Sequence, residues 1–159
     1  PRGKEGEWDN VALLQGHAFV NVGDQTYIWY SHWDTGASLT NMHIGLATLR
    51  RDGFGYVATK HKNGEGGFVT DTVELTAPEA FKVKVNVEGA TAQAPLKLEL
   101  LNDRDQPLGD ATSVTTSGTQ VEVKWSKAPV LKKGDRLALR AHFPKAADVR
   151  VYSLYIDQP

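Results

Sequence analysis

The sequence contains no cysteine among its 159 residues, which excludes disulfide-stapled scaffolds, thiolate zinc sites and cysteine nucleophiles. It also lacks an excess of charge of either sign, because 18 Lys and Arg stand against 19 Asp and Glu. Without a basic balance there is no electrostatic case for a nucleic-acid partner or an anionic membrane surface. No apolar run approaches the ~20 residues of a membrane-spanning helix, so the sequence predicts no membrane partner.

The amino terminus has neither an initiating Met nor the apolar core of a signal peptide. We therefore expect a processed or excised piece of a longer protein. The chain is long enough to form a core of its own, since a domain near 150 residues buries about 68–70% of its unfolded surface.

Alternation of apolar and polar residues is the dominant pattern, and it is typical of strands with one buried face. In segment 81–87, apolar Phe81, Val83, Val85 and Val87 alternate with Lys82, Lys84 and Asn86. The same pattern recurs in 96–100, 120–125 and 136–143, and no long window has helical periodicity. The sequence predicts an all-β fold, an antiparallel, jelly-roll-like β-sandwich preceded by an aromatic β-hairpin.

A change in composition near residue 40 predicts two parts. Residues 11–33 are rich in aromatic residues and predict a hairpin that turns at Gly23-Asp24. The Lys- and Val-rich remainder predicts about seven further strands. We place the amino-terminal segment with its hairpin at 1–43 and the sandwich at 44–159. The sequence leaves open whether the hairpin packs on the sandwich or belongs to a missing propeller.

Aromatic residues in the hairpin are the strongest sign of a binding site. Tyr27, Trp29 and Trp33 have even spacing, which places them on one face of a strand, with His32 on the other face. Aromatic rings stack on sugars, and polar neighbours orient the hydroxyl groups. The predicted carbohydrate contacts are Trp8, Trp29, Trp33, His32, Asp34, Arg51, Asp52 and Tyr56. The alternative is that this aromatic face only packs on the rest of the protein.

Arg50 and Arg51 precede a turn at Asp52-Gly53. Adjacent strand residues point to opposite faces, so we expect one of the two arginines to have a structural role, for instance through an ion pair with Asp52.

Catalytic chemistry is not indicated. Glycoside hydrolysis needs two carboxyl groups, one with a raised pKa. The candidates Asp24, Asp34, Asp52, Glu65 and Asp71 lie in polar, turn-rich segments, where acidic residues serve turn geometry. No G-x-S-x-G motif is present. We therefore predict that the chain is not an enzyme.

Metal binding is weakly indicated. The loop 102–110 places oxygen-bearing side chains at Asn102, Asp103 and Asp105, but it lacks the glycine and closing glutamate of a calcium-binding EF-hand loop. His32 and His43 have no His-x-His spacing. The sequence favours a simple turn and predicts no cofactor, and it leaves a structural calcium ion open.

Three segments of the chain together resemble a known group of proteins. The run HAFVNVGDQTYIWYSHWD, the run IGLATLRRDGFGYVA and the final strand VRVYSLYI resemble the carboxyl-terminal end of secreted bacterial proteins related to glycoside hydrolase families 32 and 43. In those proteins a five-bladed β-propeller is followed by a β-sandwich. The resemblance implies that residues 8–33 match the last propeller strands and 44–157 the sandwich. It also implies an extracellular or periplasmic location.

The resemblance implies a role without catalysis. In such proteins the catalytic carboxylates come from earlier propeller blades, and no position of this chain matches them. It implies a non-catalytic carbohydrate-binding module associated with a glycoside hydrolase, with a polysaccharide or oligosaccharide as partner. The alternative is a structural accessory domain without a ligand, which buttresses the β-propeller catalytic domain of the parent protein.

Overall fold

The computed structural model describes residues 3–7, 10, 12–33, 42–60, 66–78, 81–127 and 129–158. The prediction of an all-β fold is confirmed, since these residues form eleven strands and no α-helix, and every strand pair is antiparallel. The strands are β1 (Ala12–Val22), β2 (Gln25–Trp33), β3 (Met42–Arg50), β4 (Gly66–Val69), β5 (Val73–Glu74), β6 (Lys82–Glu88), β7 (Leu96–Leu101), β8 (Thr112–Val114), β9 (Gly118–Glu122), β10 (Arg136–Phe143) and β11 (Arg150–Asp157). In this part of the chain, no helix has the length and apolar character needed to cross a membrane.

The chain divides into two compact units, residues 1–53 and 54–159. The sequence placed the boundary ahead of residue 44, with β3 as the first strand of the sandwich. In the structure β3 pairs along its whole length with β2, from Gln25–Arg50 to Trp33–Met42. The amino-terminal element is therefore a three-stranded sheet rather than a hairpin alone, because backbone pairing with β2 holds β3 in the first unit.

The first unit is the sheet β1-β2-β3. The predicted turn is confirmed, since β1 and β2 pair up to Val22 and Gln25 around Gly23-Asp24. Gly23 has a φ of +57°, and a glycine with positive φ at the first central position is typical of a type II′ hairpin turn.

The second unit contains two sheets. One has the order β4-β10-β7-β8, with β5 also paired to β10, and the other has the order β11-β6-β9. Residues from both sheets form one hydrophobic core, which includes Val83, Val85, Leu96, Leu98, Leu100, Leu137, Leu139, Ala141 and Val151. These are the apolar positions of the alternating segments, so the predicted inward faces of β6, β7 and β10 are confirmed.

Asn86 departs from the predicted pattern. The alternation of β6 placed it on a solvated face, but its side chain is fully buried. The strands on both sides of β6 change register next to it, between Val85 and Val87 on the β9 side and between Val151 and Ser153 on the β11 side. Such bulges interrupt the regular pleat, and simple alternation does not foresee them.

Candidate functional site

The first unit presents part of the predicted aromatic site. The Trp29 side chain is 41% exposed, and the Tyr27 ring meets it edge-on with centroids 6.2 Å apart. Trp8, Asp34 and the side chain of Trp33 lie outside the described residues. His32 is buried on the opposite face of β2, with its ring 6.1 Å from that of His43. His32 therefore does not share a surface with Trp29, contrary to their grouping as contacts of one ligand.

Asp52 fastens the end of β3 to the hairpin. Its Oδ1 accepts a hydrogen bond from Asn21 Nδ2 at 2.7 Å, and its backbone N–H donates to Thr26 Oγ1 at 2.8 Å. Thr26 is fully buried and donates in turn to Asn21 Oδ1 at 2.5 Å. Asp52 has a φ of +50°, which aspartate tolerates better than most residues. This carboxylate is thus already bound within the sheet.

Arg51 completes the same attachment. Its guanidinium Nη1 donates to the Gly23 carbonyl at 3.0 Å, its backbone N–H donates to the Asp24 carbonyl at 2.8 Å, and its Nε lies 3.7 Å from Asp52 Oδ2. The expected structural role of one arginine is confirmed. Arg51 and Asp52 join β3 to the β1–β2 turn, and this role accounts for both side chains without a ligand.

Tyr56, the last predicted contact, lies in the second unit. The next residue, Val57, exchanges two backbone hydrogen bonds with Val151, at 2.8 and 3.0 Å, and so extends the smaller sheet beyond β11. This pairing places Tyr56 beside the start of β11, with 54% of the residue exposed.

Tyr56 belongs to a cluster of aromatic and charged groups, which we call the Tyr56 cluster. The Tyr152 ring lies 5.6 Å from the Tyr56 ring, and the Arg150 guanidinium lies 5.0 Å from the Tyr56 centroid. Arg150 donates two hydrogen bonds to Asp148, at 3.1 and 2.7 Å, and the Tyr152 hydroxyl donates to Glu88 at 2.6 Å. The cluster therefore combines an open aromatic ring with fixed donors and acceptors.

Hydrogen bonds within the cluster favour the protonated forms of Arg150 and Tyr152. Hydrogen bonding to Asp148 raises the pKa of Arg150, and hydrogen bonding to Glu88 raises the pKa of the Tyr152 phenol. Arg150 thus stays cationic and Tyr152 stays a hydroxyl donor throughout the physiological range.

A second candidate site is a cleft of about 660 Å³ on the outer face of the five-stranded sheet. It is lined by Gly66, Pro95, Lys97, Glu99, Ala111, His142, Phe143, Pro144 and Lys145. The pairing of β7 with β10 brings the charged side chains of the cleft together, because it places Lys97 opposite His142 and Glu99 opposite Arg140.

Glu99 lies at the centre of the charges in this cleft. One of its carboxylate oxygens is 3.2 Å from His142 Nε2 and 3.3 Å from Arg140 Nη1. The hydrogen bond with His142 lowers the pKa of Glu99 most, Arg140 lowers it further, and burial opposes both. Glu99 is therefore an ionised hydrogen-bond acceptor rather than a proton donor.

The sequence alone does not indicate this cleft. The alternation in 96–100 and 136–143 places Lys97, Glu99, Arg140 and His142 on the polar faces of two strands, and in the structure none of the four is buried. The available signal was the density of charge on two alternating segments, but only strand pairing brings the four side chains together.

The described residues include no group of three or more His, Asp or Glu that could hold a metal ion. In the loop proposed for calcium, Asn102 Oδ1 accepts from the backbone N–H groups of Arg104 and Gln106, at 2.9 and 3.0 Å. This oxygen closes the turn itself, as asparagine side chains commonly do.

Comparison with protein-family models, curated proteins and solved structures finds no match to this chain. The resemblance to proteins related to glycoside hydrolase families 32 and 43 therefore stays a prediction.

Proposed function

We propose that this chain is a non-catalytic carbohydrate-binding β-sandwich module associated with a glycoside hydrolase, and that its saccharide stacks on Tyr56. The observation that supports this most directly is the half-exposed Tyr56 ring beside Arg150 and Tyr152. An extracellular or periplasmic location belongs to the same proposal.

The Tyr56 cluster has both features that saccharide recognition requires. The aromatic ring offers an apolar face to sugar C–H groups, and polar groups fixed nearby select the orientation of the hydroxyls. Glu88 and Asp148 are acceptors, and Arg150 is a donor. Because hydrogen bonds within the protein already orient these groups, little conformational entropy is lost when a ligand binds.

The acids in the described part of the chain favour a module without catalytic activity. A general acid for glycoside hydrolysis needs a raised pKa. Glu99, the carboxylate that lines the cleft of about 660 Å³, has a lowered pKa because of His142 and Arg140. Asp148 is tied to Arg150 by two hydrogen bonds. These carboxylates act as acceptors and ion-pair partners.

The test is a screen of plant, algal and fructan polysaccharides against the chain and its variants. Tyr56→Ala is expected to weaken binding of the active polysaccharide by about 2- to 12-fold, from the loss of an aromatic interaction of about 0.5–1.5 kcal/mol. Tyr56→Trp keeps a stacking surface and is expected to bind. Phe54→Ala removes another aromatic residue that is 61% exposed and serves as the matched control.

Two results would contradict the proposal in different ways. If no polysaccharide binds to a chain shown to be folded by circular dichroism, the module has no such function. If Trp29→Ala abolishes binding and Tyr56→Ala leaves it unchanged, the binding function stands and the site lies on the amino-terminal sheet.

One observation favours the second candidate function, a structural accessory domain that buttresses a β-propeller. One face of the amino-terminal sheet carries Leu14, Val20, Val22, Trp29, Ile44 and Leu46. Each is at least 41% exposed, and Ile44 is 79% exposed. An apolar face of this extent is typical of a surface that another part of a protein covers.

The accessory role predicts association with a propeller domain of the parent protein supplied separately. Leu46→Asp is expected to abolish that association. Val130→Asp changes a residue that is 89% exposed in the sandwich unit and is the matched control. If the two parts do not associate, or if both variants behave alike, the accessory role is wrong.

A further inference from the structure

The cleft on the outer face of the five-stranded sheet is chemically distinct from the Tyr56 cluster. The Tyr56 cluster is built on β11 and β6, whereas the cleft takes Lys97 and Glu99 from β7 and His142 from β10. Its volume of about 660 Å³ lies within the range of small-molecule sites, about 300–1,000 Å³. It is therefore large enough for a sugar unit rather than a simple ion.

The cations of this cleft outnumber its carboxylates. Lys97 and Lys145 line it, and Glu99 is the only carboxylate among its described lining residues. Arg140 pairs with that carboxylate at 3.3 Å. The charge of Glu99 is thus offset by Arg140 and His142, so Glu99 does not also pair with Lys97.

Strand register places Lys97 beside side chains that do not neutralise it. Lys97 lies directly opposite His142 on the neighbouring strand. In the described part of the chain, Lys97 forms no ion pair, whereas His142 contacts Glu99 at 3.2 Å. The ammonium group of Lys97 is therefore available to an anionic group of a ligand.

The remaining lining has the character of a sugar site. Pro95 and Pro144 provide apolar surface for C–H groups, and Glu99 is an ionised acceptor for hydroxyls. We infer that this cleft binds the carboxylate-bearing ring of an acidic saccharide, with Lys97 on the carboxylate and Glu99 on a hydroxyl. That the ligand is a saccharide rests on the proposed function, but the cleft does not depend on Tyr56.

The experiment is titration of the ¹⁵N-labelled chain with trigalacturonate, its neutral counterpart galactotriose, and acetate. Trigalacturonate is expected to shift the amide signals of Lys97, Glu99 and His142, and galactotriose is expected to leave them in place. Lys97→Gln is expected to weaken trigalacturonate binding by up to about fivefold, as for one exposed ion pair. Lys133→Gln removes a charge from the 132–135 turn, outside the cleft, and is the control.

The outcomes separate this inference from the proposed function. If trigalacturonate shifts only signals near Tyr56, the cleft assignment is overturned and the Tyr56 site is supported. If acetate binds the cleft as tightly as trigalacturonate, the site recognises any carboxylate and the saccharide assignment is wrong. If Lys97→Gln and Lys133→Gln reduce the affinity for trigalacturonate equally, the cleft assignment is also overturned, since binding would then depend on the overall charge of the chain. Shifts in the cleft that persist in Tyr56→Ala support it.

Discussion

The guanidinium of Arg150 lies 5.0 Å from the centre of the Tyr56 ring while it donates two hydrogen bonds to Asp148. A planar guanidinium can stack on an aromatic ring and bind a carboxylate in its own plane at the same time, which an ammonium group cannot do as well. Arg150 therefore positions the Tyr56 ring and fixes the Asp148 carboxylate beside it.

This relationship predicts the effect of Arg150→Lys. The substitution keeps the positive charge but loses the two-bond geometry, so the Tyr56 ring should lose its fixed orientation. Saccharide affinity is expected to fall nearly as far as in Tyr56→Ala. The free energy of unfolding should change little, since the ion pair is on the surface. Calorimetric titration and urea unfolding measure the two quantities. Unchanged affinity would show that Arg150 does not position the ring.

Gly89 predicts a stability effect close to this site. It follows β6 with a φ of +81°, and a Cβ atom at this position would lie 2.1 Å from the Asp148 carbonyl oxygen. Gly89→Ala therefore combines an unfavourable left-handed conformation with a backbone overlap, and it should reduce the free energy of unfolding by at least about 2 kcal/mol. A Cβ at Gly109 meets nothing within 4 Å, so Gly109→Ala is the matched control. Similar urea midpoints for the two variants would contradict this account.

Asp52 gives a prediction for the first unit. Asp52→Ala removes the acceptor for Asn21 and places alanine at a φ of +50°, and it should cost about 1–3 kcal/mol. Asp52→Asn keeps an oxygen acceptor and a residue that tolerates this conformation, so it should cost less. Tryptophan fluorescence during denaturation reports mainly on this unit, because three of the four Trp residues precede residue 54. Equal losses in both variants would mean that the carboxylate charge, rather than the hydrogen bond, matters.

The faces of individual strands could be predicted from the sequence, because side-chain direction in a strand depends only on a period of two. Leu98 and Leu139 are buried as their alternation indicates. Strand β3 was assigned to the wrong unit, since nothing in its own residues states which sheet it joins. Its pairing with β2 is a long-range property of the backbone.

The candidate sites were predicted less well for the same reason. Exposed Tyr56 was found as an aromatic residue, but its partners Tyr152 and Arg150 lie nearly a hundred residues further along the chain and reach it through the Val57–Val151 pairing. The sequence did not indicate the hydrogen bonds by which Arg51 and Asp52, both predicted as ligand contacts, close the sheet. A polar side chain shows whether it serves a ligand or the fold only once its neighbours are known.

Glu99 predicts how stability depends on pH. Its pKa is lowered below 4.5, first by the hydrogen bond with His142 and further by Arg140. As the pH falls, the unfolded chain therefore takes up a proton at this position before the folded chain does. The stabilisation from Glu99 is complete above a pH of about 4.5 and is lost as the pH falls through the lower folded value.

The corresponding variant is Glu99→Gln, compared with the wild type by urea unfolding at about pH 6 and about pH 3. At the higher pH the variant should be less stable by about 1 kcal/mol or less, because Arg140 and His142 are partly exposed. At the lower pH the difference should shrink, since the wild-type carboxyl is then increasingly protonated. Glu122→Gln, at an exposed carboxylate on β9 without an ion pair in the described residues, should show no such change. A difference for Glu99→Gln that stays constant with pH would mean that the glutamate contributes through packing rather than through its charge.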